Sequence, residues 1–533
     1  MFSIRSNSSP IKPAQPWLNR IPLLLLFSFS LAFLFRSAYV ASDLSIVPDS
    51  VEYAIGAWRL ANLGHFNISI NGHFYPSRYP PGFSTILLAP VYLLFPNDIG
   101  NGIYAVLAMA IIGVWGAWVY GCRAGNVWSG ALAALSVMII KDYRFGAERI
   151  MSDLPTAVLG FLGLLVFLDL LSSSRPRSYL FAGVLTAAAF QFRYDMLSMA
   201  LPFCVLISAG LRSRDKRRDA LKGGILFLIP VIVSIFATLF YNKSVFGSFT
   251  YTGYNYWCAF PYDFPDKLWS LRYIAPNLHD LMATRVLVVV LEGIIGAWIL
   301  YKSKNPLLLP SLFYLIAACA PSFLLHLVYR FQGSRFALME QMLLAAIGGA
   351  GLATLIPKRL QDKPVYLAGI LLCLQPLIPL IHSQFHKTPW RRVIADRLSA
   401  DTPDNAVIVS GIDPVYLSWF LLRGAGRERI IIPLSRKVEY AAKYCFPQRP
   451  ANPSIMPHSG NVHTEAMKAV GGIDSVPWTA EGHPDKLLSL ACTGRPIYAE
   501  LHFAPADYPD AYTSSLFHFI RVPDAQELIQ MQH

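Results

Sequence analysis

Residues 75–96 read YPSRYPPGFSTILLAPVYLLFP. Two tyrosines, Arg78 and a Pro-Pro-Gly lead into a nearly unbroken apolar run over residues 82–96. A helix needs about 20 residues to cross the hydrocarbon core of a bilayer. This run falls short of that length. It therefore crosses, lies on the surface, or builds a site, and the choice sets the side of the membrane for every later loop.

Composition settles that there is a membrane. Of 533 residues, 54% are hydrophobic and 14% are charged, where a soluble domain carries about 25% charged residues. Apolar runs occur at 20–38, 82–96, 101–120, 127–141, 154–171, 179–191, 196–211, 223–241, 284–301, 307–327, 336–356 and 364–382. The expectation is a polytopic α-helical membrane protein. The net charge of +13 is no nucleic-acid signature here, because excess Lys and Arg collect in cytoplasmic loops. The first run, before RSAYVAS, lacks a cleavage site and reads as a retained helix.

Charge then decides the parity. The N-terminus carries Arg5, Lys12 and Arg20. Four later loops are cationic: Arg175 with Arg177, RSRDKRRDALK at 212–222, Lys302 with Lys304, and Lys358 with Arg359 and Lys363. If 82–96 spans, all four lie opposite an inside N-terminus. If it does not, all four lie inside, together with Arg123. Merging 179–211 into one helix would also change the parity, but it places Arg193 and Asp195 near mid-bilayer at about 3 kcal/mol each. We therefore expect about eleven spans, with 82–96 an interfacial or re-entrant helix on the outer face. Residues 1–19 are then a cytoplasmic N-terminus, 20–383 a membrane domain with a first outer loop at 39–100, and 384–533 an extracytoplasmic soluble domain.

The outer loops hold the chemistry. In the first, apolar residues 51, 54, 55 and 58 recur at helical spacing, and Asp49 with Glu52 fits a capping box. The second, KDYRFGAERIMSDLP, carries Arg144, Glu148, Arg149 and Asp153; the last reads equally as a helix cap. QFRYDM holds Arg193 and Asp195, and HLVYRFQGSRFALMEQ holds His326, Arg330 and Arg335. The fourth outer loop, 241–269, is aromatic and Gly-rich, as an interfacial belt would be. Charges at a membrane boundary are costly unless paired or used. Arginines on one face suit a phosphate, which the guanidinium fork binds through two bonds. A carboxylate suits a general base toward a hydroxyl. One base with phosphate clamps beside lipid points to sugar transfer from a lipid-phosphate donor. Phosphate leaves readily, so the two carboxylates of glycoside hydrolysis are not needed.

PDSVEYAIGAWRLANLGHF followed by YPSRYPPGFSTILLAPVYLLF resembles the first outer loop of GT-C fold glycosyltransferases. Within them it is most similar to bacterial relatives of dolichyl-phosphate-mannose protein mannosyltransferase and of the lipid A aminoarabinose transferase. AERIMSDLP, FRYDML, FGSFTYTGY and SRFALMEQMLLAAIGGAG resemble later landmarks in the same order, across roughly residues 20–383. The resemblance implies a transferase of the bacterial inner membrane. It would move a sugar, with inversion, from a polyprenyl-phosphate donor to a hydroxyl-bearing envelope acceptor. It implies catalytic roles for Asp49 and Asp153. Glu52, Tyr53, Arg78, Tyr79, Arg149, Arg193 and Arg335 are the substrate-binding candidates, with Tyr53, Arg78 and Tyr79 lining the entrance. No cofactor or metal site is assigned, and a divalent metal between Asp49 and Asp153 is the weaker reading. Two departures stand out: Asp49 and Glu52 are three apart rather than adjacent, and Arg78-Tyr79 stands where aminoarabinose relatives have Glu-Lys.

Two alternatives remain at this level. A lipid-linked sugar transporter or flippase predicts mid-membrane charges and internal repeats, and no repeat is seen. A polysaccharide ligase or polymerase also uses outer arginines but does not require the Asp49 helix. In the last 150 residues, TPDNAVIVSGIDPVYLSWFLLRG reads as strand, turn, helix, and RIIIPL, RPIYAELHF and LFHFIRV read as further strands. Short continuous apolar runs of this kind suit an α/β sheet buried on both faces. Cys122, Cys204, Cys319 and Cys373 read as packing residues, and a Cys445–Cys492 disulfide is compatible with the expected topology. Asn67 and Asn242 match the glycosylation sequon, and Gly348, Gly349 and Gly351 read as close helix packing.

Overall fold

The computed structural model describes residues 30, 48–70, 73–173, 175–257, 262–283, 286–331, 333–356, 398–410, 429–433, 495–500 and 519–522. The expected spans at 20–38 and 364–382, and Cys258, Cys373, Cys445 and Cys492, lie outside those residues. In chain order come α1 (Pro48–Leu63), the strands β1 (Ile68–Ile70) and β2 (His73–Tyr75), and a π-helical segment Phe83–Leu88 that continues as α2 (Ala89–Leu94). Then follow α3 (Ile103–Ala124), α4 (Val127–Ile139), α5 (Lys141–Ala147), α6 (Asp153–Ser172), α7 (Pro176–Phe192), α8 (Ala200–Arg212) and α9 (Arg217–Phe246). The short α10 (Gly253–Trp257) and α11 (Pro265–Leu268) precede α12 (Ile274–Ala283), α13 (Val286–Lys302), α14 (Leu308–Tyr314), α15 (Ala320–Leu327) and α16 (Leu338–Leu352). Four strands close the order: β3 (Val407–Ser410), β4 (Ile430–Pro433), β5 (Ile497–Glu500) and β6 (Phe519–Val522).

Every apolar run inside the described residues is helical. Six helical stretches are long and apolar enough to span: Ile99–Ala124, Asp153–Ser172, Tyr194–Arg212, Arg217–Phe246, Leu308–Leu327 and Ser334–Leu355. A seventh is available if Leu271–Met282 and Val286–Lys302, bent by 77°, form one span. Helix α4, with 13 residues, and α7, with 17, are shorter. The region 179–211 is two helices. The chain breaks at Arg193, whose φ of −152° and ψ of 124° are extended, before the 3-10 turn Tyr194–Met199. Arg193 and Asp195 therefore sit at a helix end and not within one continuous helix.

The described chain falls into two units. One takes Ile103–Thr238 and Trp269–Phe385; the other takes Ala41–Gly102, Leu239–Leu268 and His386–His533. In the first unit α16 packs against α13, α4 and α6, and glycines set the spacing. A Cβ on Gly296 would lie 2.4 Å from Gly348 Cα, and one on Gly351 would lie 2.3 Å from Gly296 O. A Cβ on Gly349 would lie 2.5 Å from Leu132 O. The backbones thus touch, as they do where small residues let membrane helices approach. Glu292 of α13 accepts from Ser136 of α4, and Tyr314 donates to Gly160 O at 2.9 Å. These bonds satisfy polar groups that lipid could not. Asn126 caps α4, accepting from Trp128 N at 2.9 Å and Ser129 N at 3.1 Å. Cys122, Cys204 and Cys319 are free thiols.

In the second unit α1 packs on the π-helical segment and α2. The helical run from 81 to 94 is about 21 Å long at 1.5 Å per residue, against a hydrocarbon core of about 30 Å. It is, like α4, shorter than that core. One face buries Phe83, Leu88 and Tyr92 while Ile86, Leu93 and Leu94 are exposed, an apolar outer face suited to a membrane surface. Separately, β4-β3-β5-β6 form a sheet in that order. β3 is parallel to β4 and β5, and β6 is antiparallel to β5. Val407, Ile408, Val409, Ile432 and Ile497 are buried, as the unbroken apolar strands foretell.

Replacing Gly296 by Leu should cost about 1–3 kcal/mol through overpacking, read as a lowered thermal midpoint of the detergent-solubilised chain. An unchanged midpoint would show that α13 and α16 do not meet there.

Candidate functional site

Among the described residues, each unit contains a cluster of opposite charges, buried in the second unit and largely buried in the first. In the second unit, Asp49 lies in the first turn of α1 and Glu52 one turn on. Both face Arg78, which follows the β1–β2 hairpin. Arg78 Nη2 donates to Glu52 Oε1 at 2.6 Å and lies 3.6 Å from Asp49 Oδ1. Asp49 is inside the helix rather than ahead of it, and it makes an ionic contact with Arg78. The guanidinium carbon is 4.7 Å from the Tyr79 ring centre, and Tyr79 stacks on Tyr53 at 4.5 Å. Phe83 meets Tyr53 edge-on at 4.8 Å, and Ser84 Oγ donates to Tyr53 O at 3.1 Å. Tyr53, Arg78 and Tyr79 are only 3%, 5% and 9% exposed, so they form a packed interior rather than the expected rim of an entrance.

The physical reason for that burial is the loop after α9. A Cβ on Gly253 would lie 2.3 Å from Ser77 O and 2.5 Å from Arg78 O, so only glycine lets that backbone lie against residues 77–78. Tyr254 then meets Tyr79 edge-on at 5.7 Å. This gives the glycine of FGSFTYTGY a structural task. Burial raises the Glu52 carboxyl to about 7, with Arg78 pulling it down and Asp49 pushing it up. Burial also raises the Tyr79 phenol well above 10, so it stays neutral.

In the first unit, Arg193 sits between the start of α6 and the end of α15. It pairs with Asp153 through Nη1, with Asp195 through Nε at 3.2 Å, and with His326 Nε2 through Nη2 at 3.2 Å. His326 Nδ1 is 2.8 Å from Ser322 O, so it donates there and leaves Nε2 to accept from Arg193. Ser322 Oγ donates to Asp195 Oδ2 at 2.7 Å. Phe336 stacks on His326 at 4.8 Å and carries the guanidinium groups of Arg193 and Arg335 at 4.9 Å and 5.2 Å. Arg335 Nη1 also reaches Met151 Sδ at 3.6 Å, while Arg149 lies over Phe145 at 3.6 Å. Beside the cluster, Asn277, Phe323, His326, Phe331 and Phe336 line an open pocket.

The sequence candidates thus divide. Asp49, Glu52, Tyr53, Arg78 and Tyr79 are brought together, and so are Asp153 and Arg193. Arg335 joins the second group through Phe336, and Arg149 lies on Phe145. Arg193 is engaged at three donors by protein groups, which suits an organising arginine better than a ligand clamp. Asp195 and His326 lay in the loops singled out above but not among the candidates. Tyr254 and Phe336 lay in quoted landmark stretches but were not singled out, and Ser322 was missed altogether, for a single hydroxyl residue in an apolar stretch carries no signal. Asn242, one of the two sequons, is 3% exposed and donates to Phe249 O at 3.2 Å, so its amide faces inward. Among the described residues no three His, Cys, Asp or Glu side chains gather as a metal site would.

No protein-family model matches the sequence, and no curated protein matches it. The chain has the fold of the GT-C glycosyltransferases. It is similar to ArnT from Cupriavidus metallidurans bound to undecaprenyl phosphate, with 14% identity and a TM-score of 0.57 over 94% of this chain and 96% of that one. To ArnT in the apo state the identity is 13% and the TM-score 0.59, over 91% and 93% of the two chains.

Arg193→Met should destabilise the chain by about 3–5 kcal/mol, because it leaves buried carboxylates without their guanidinium. Arg193→Lys should fall between, keeping charge but losing the fork. Unfolding in a denaturing detergent series measures both; a loss below about 1 kcal/mol for Arg193→Met would mean a solvated pair.

Proposed function

We propose that the chain is a membrane glycosyltransferase that moves a sugar from a polyprenyl-phosphate donor to a hydroxyl of an extracytoplasmic envelope acceptor. The observation that carries this reading is the likeness to ArnT over 94% of the chain, with one ArnT structure holding undecaprenyl phosphate. A carboxylate–guanidinium cluster in the first outer loop supports it. Asp49 is the base. It takes the proton of the acceptor hydroxyl while that oxygen forms a bond to the anomeric carbon. The bond from that carbon to the phosphate oxygen breaks, the electron pair leaves with polyprenyl phosphate, and the configuration inverts. Arg149 and Arg335 are the cations for the donor phosphate, and Asp153 acts by orienting Arg193. A bidentate or paired guanidinium contact would stabilise the leaving phosphate as charge grows on it. The donor sugar, pentose or hexose, is left open by these residues.

The same reading places the chain in a bacterial inner membrane, N-terminus inside, with 82–96 on the outer surface and 384–533 outside. In a cysteine-free background, Arg212→Cys should react with an impermeant maleimide only after permeabilisation, and Ser244→Cys in intact cells. The reverse pattern sinks the topology.

For the chemistry, the full chain in lipid nanodiscs is offered radiolabelled undecaprenyl-phosphate-linked hexoses and pentoses with a cell-envelope extract as acceptor. Label should move to the extract, and Asp49→Asn should slow transfer at least about a hundredfold, the usual contribution of a general base. No transfer from any donor rejects the reading, and a normal rate in Asp49→Asn rejects the base.

A further inference from the structure

One nitrogen serves both acids of the first outer loop. Arg78 Nη2 is within hydrogen-bond distance of Glu52 Oε1, at 2.6 Å, and beyond it from Asp49 Oδ1, at 3.6 Å. The guanidinium is confined by the Tyr79 ring on one face, and Gly253 closes over the carbonyls of Ser77 and Arg78. The other Glu52 oxygen, Oε2, is buried with no hydrogen-bond partner among the described residues. Glu52 is thus held at one oxygen only, by the group that also faces Asp49.

Resting on the role of Asp49 given above, we infer that Glu52 is a positioning residue. It draws Arg78 Nη2 toward itself and so limits how much of the guanidinium charge falls on Asp49, keeping that carboxylate a competent base. The energetics agree. A salt bridge is strongest for the closer, better-aligned partner, and a base bound tightly to a cation is a weaker base.

Glu52 can change this arrangement by binding a proton. Burial raises its carboxyl to about 7, against the lowering effect of Arg78 and with the help of Asp49. Above that value the ionised carboxylate holds Arg78. Below it the protonated carboxyl is the poorer acceptor, and the guanidinium charge turns to Asp49. Transfer should therefore fall as the medium is acidified through neutrality. The other polar groups on the elements packed against α1 are otherwise engaged. Tyr79 stays a neutral phenol, Tyr92 donates to Ile99 O at 2.5 Å, and Asp98 accepts from Gly100 N at 2.7 Å.

The test uses the full chain in detergent and needs no substrate. Infrared titration between about pH 5 and 9 follows carboxylic-acid protonation. The wild type should show an acid that deprotonates near pH 7, and Glu52→Gln should lack it. Asp49→Asn should lower its midpoint by a few tenths of a unit or more, about what removal of a nearby negative charge does. Survival of that titration in Glu52→Gln, or an unmoved midpoint in Asp49→Asn, overturns the inference. In the nanodisc assay, Glu52→Gln should lower kcat about tenfold, leave the donor KM alone and flatten the pH profile near neutrality, while Glu52→Asp restores part of the rate. A wild-type kcat and pH profile in Glu52→Gln, with thermal midpoints matched, also overturns it. If no donor turns over, or Asp49→Asn transfers at the normal rate, the functional reading fails. The infrared titration then still decides whether Glu52 and Asp49 share Arg78.

Discussion

Among the described residues a guanidinium faces two carboxylates twice: Arg78 with Asp49 and Glu52, and Arg193 with Asp153 and Asp195. Beside a bilayer such an arrangement constrains everything around it. An isolated buried charge costs several kcal/mol, and the cost is offset only by a partner with good geometry. The backbone must therefore deliver acid and base from distant parts of the chain to one place. Around α1 this requires a helix, a hairpin and a Pro-Pro-Gly turn in sequence, so that Arg78 returns to the start of α1. In the membrane unit it requires the break between α7 and α8, because only an extended residue at a helix end can reach both α6 and α15.

Aromatic rings complete both arrangements. Tyr79 covers Arg78 and Phe336 covers Arg193, each excluding water from a charge pair. Exclusion of water strengthens the pairing and raises the cost of disturbing it. The result in each case is a set of charges held by several protein contacts at once. Glycines do the complementary work. Gly253 admits the aromatic loop against residues 77–78, and Gly296 with Gly348 and Gly351 brings two membrane helices into backbone contact.

Much of this was legible beforehand, for identifiable reasons. Continuous apolar runs marked the helices, because lipid tolerates no unpaired backbone. Four cationic loops argued against counting 82–96 as a span, and its helix is shorter than the six long apolar helices of the described residues. The cost of Arg193 and Asp195 in mid-bilayer argued for two helices over 179–211, and the chain breaks at Arg193. Short, mostly apolar segments marked all four strands of the later sheet. The candidate acids and arginines were also visible, since charges are scarce in such a sequence. What could not be seen was their pairing. Arg78 read as an entrance residue because a cation beside a Pro-Pro-Gly turn suggests exposure. It is buried because a tyrosine and a glycine more than 170 positions later close over it.

By itself, the sequence determined that this is a polytopic helical membrane chain, where most of its helices lie, and which few charged residues stand near their ends. Those properties follow from composition and local periodicity, which each segment carries within itself. Only the tertiary structure decided that Arg78 serves Glu52 more closely than Asp49, that Asp153 and Asp195 share Arg193, and that His326 and Phe336 complete the second cluster. Such pairings depend on ångström-scale distances between residues up to 143 positions apart, as Arg193 and Phe336 are. No local pattern encodes a distance of that kind. It is set by how closely the helices pack, and here glycines and aromatic rings set that packing.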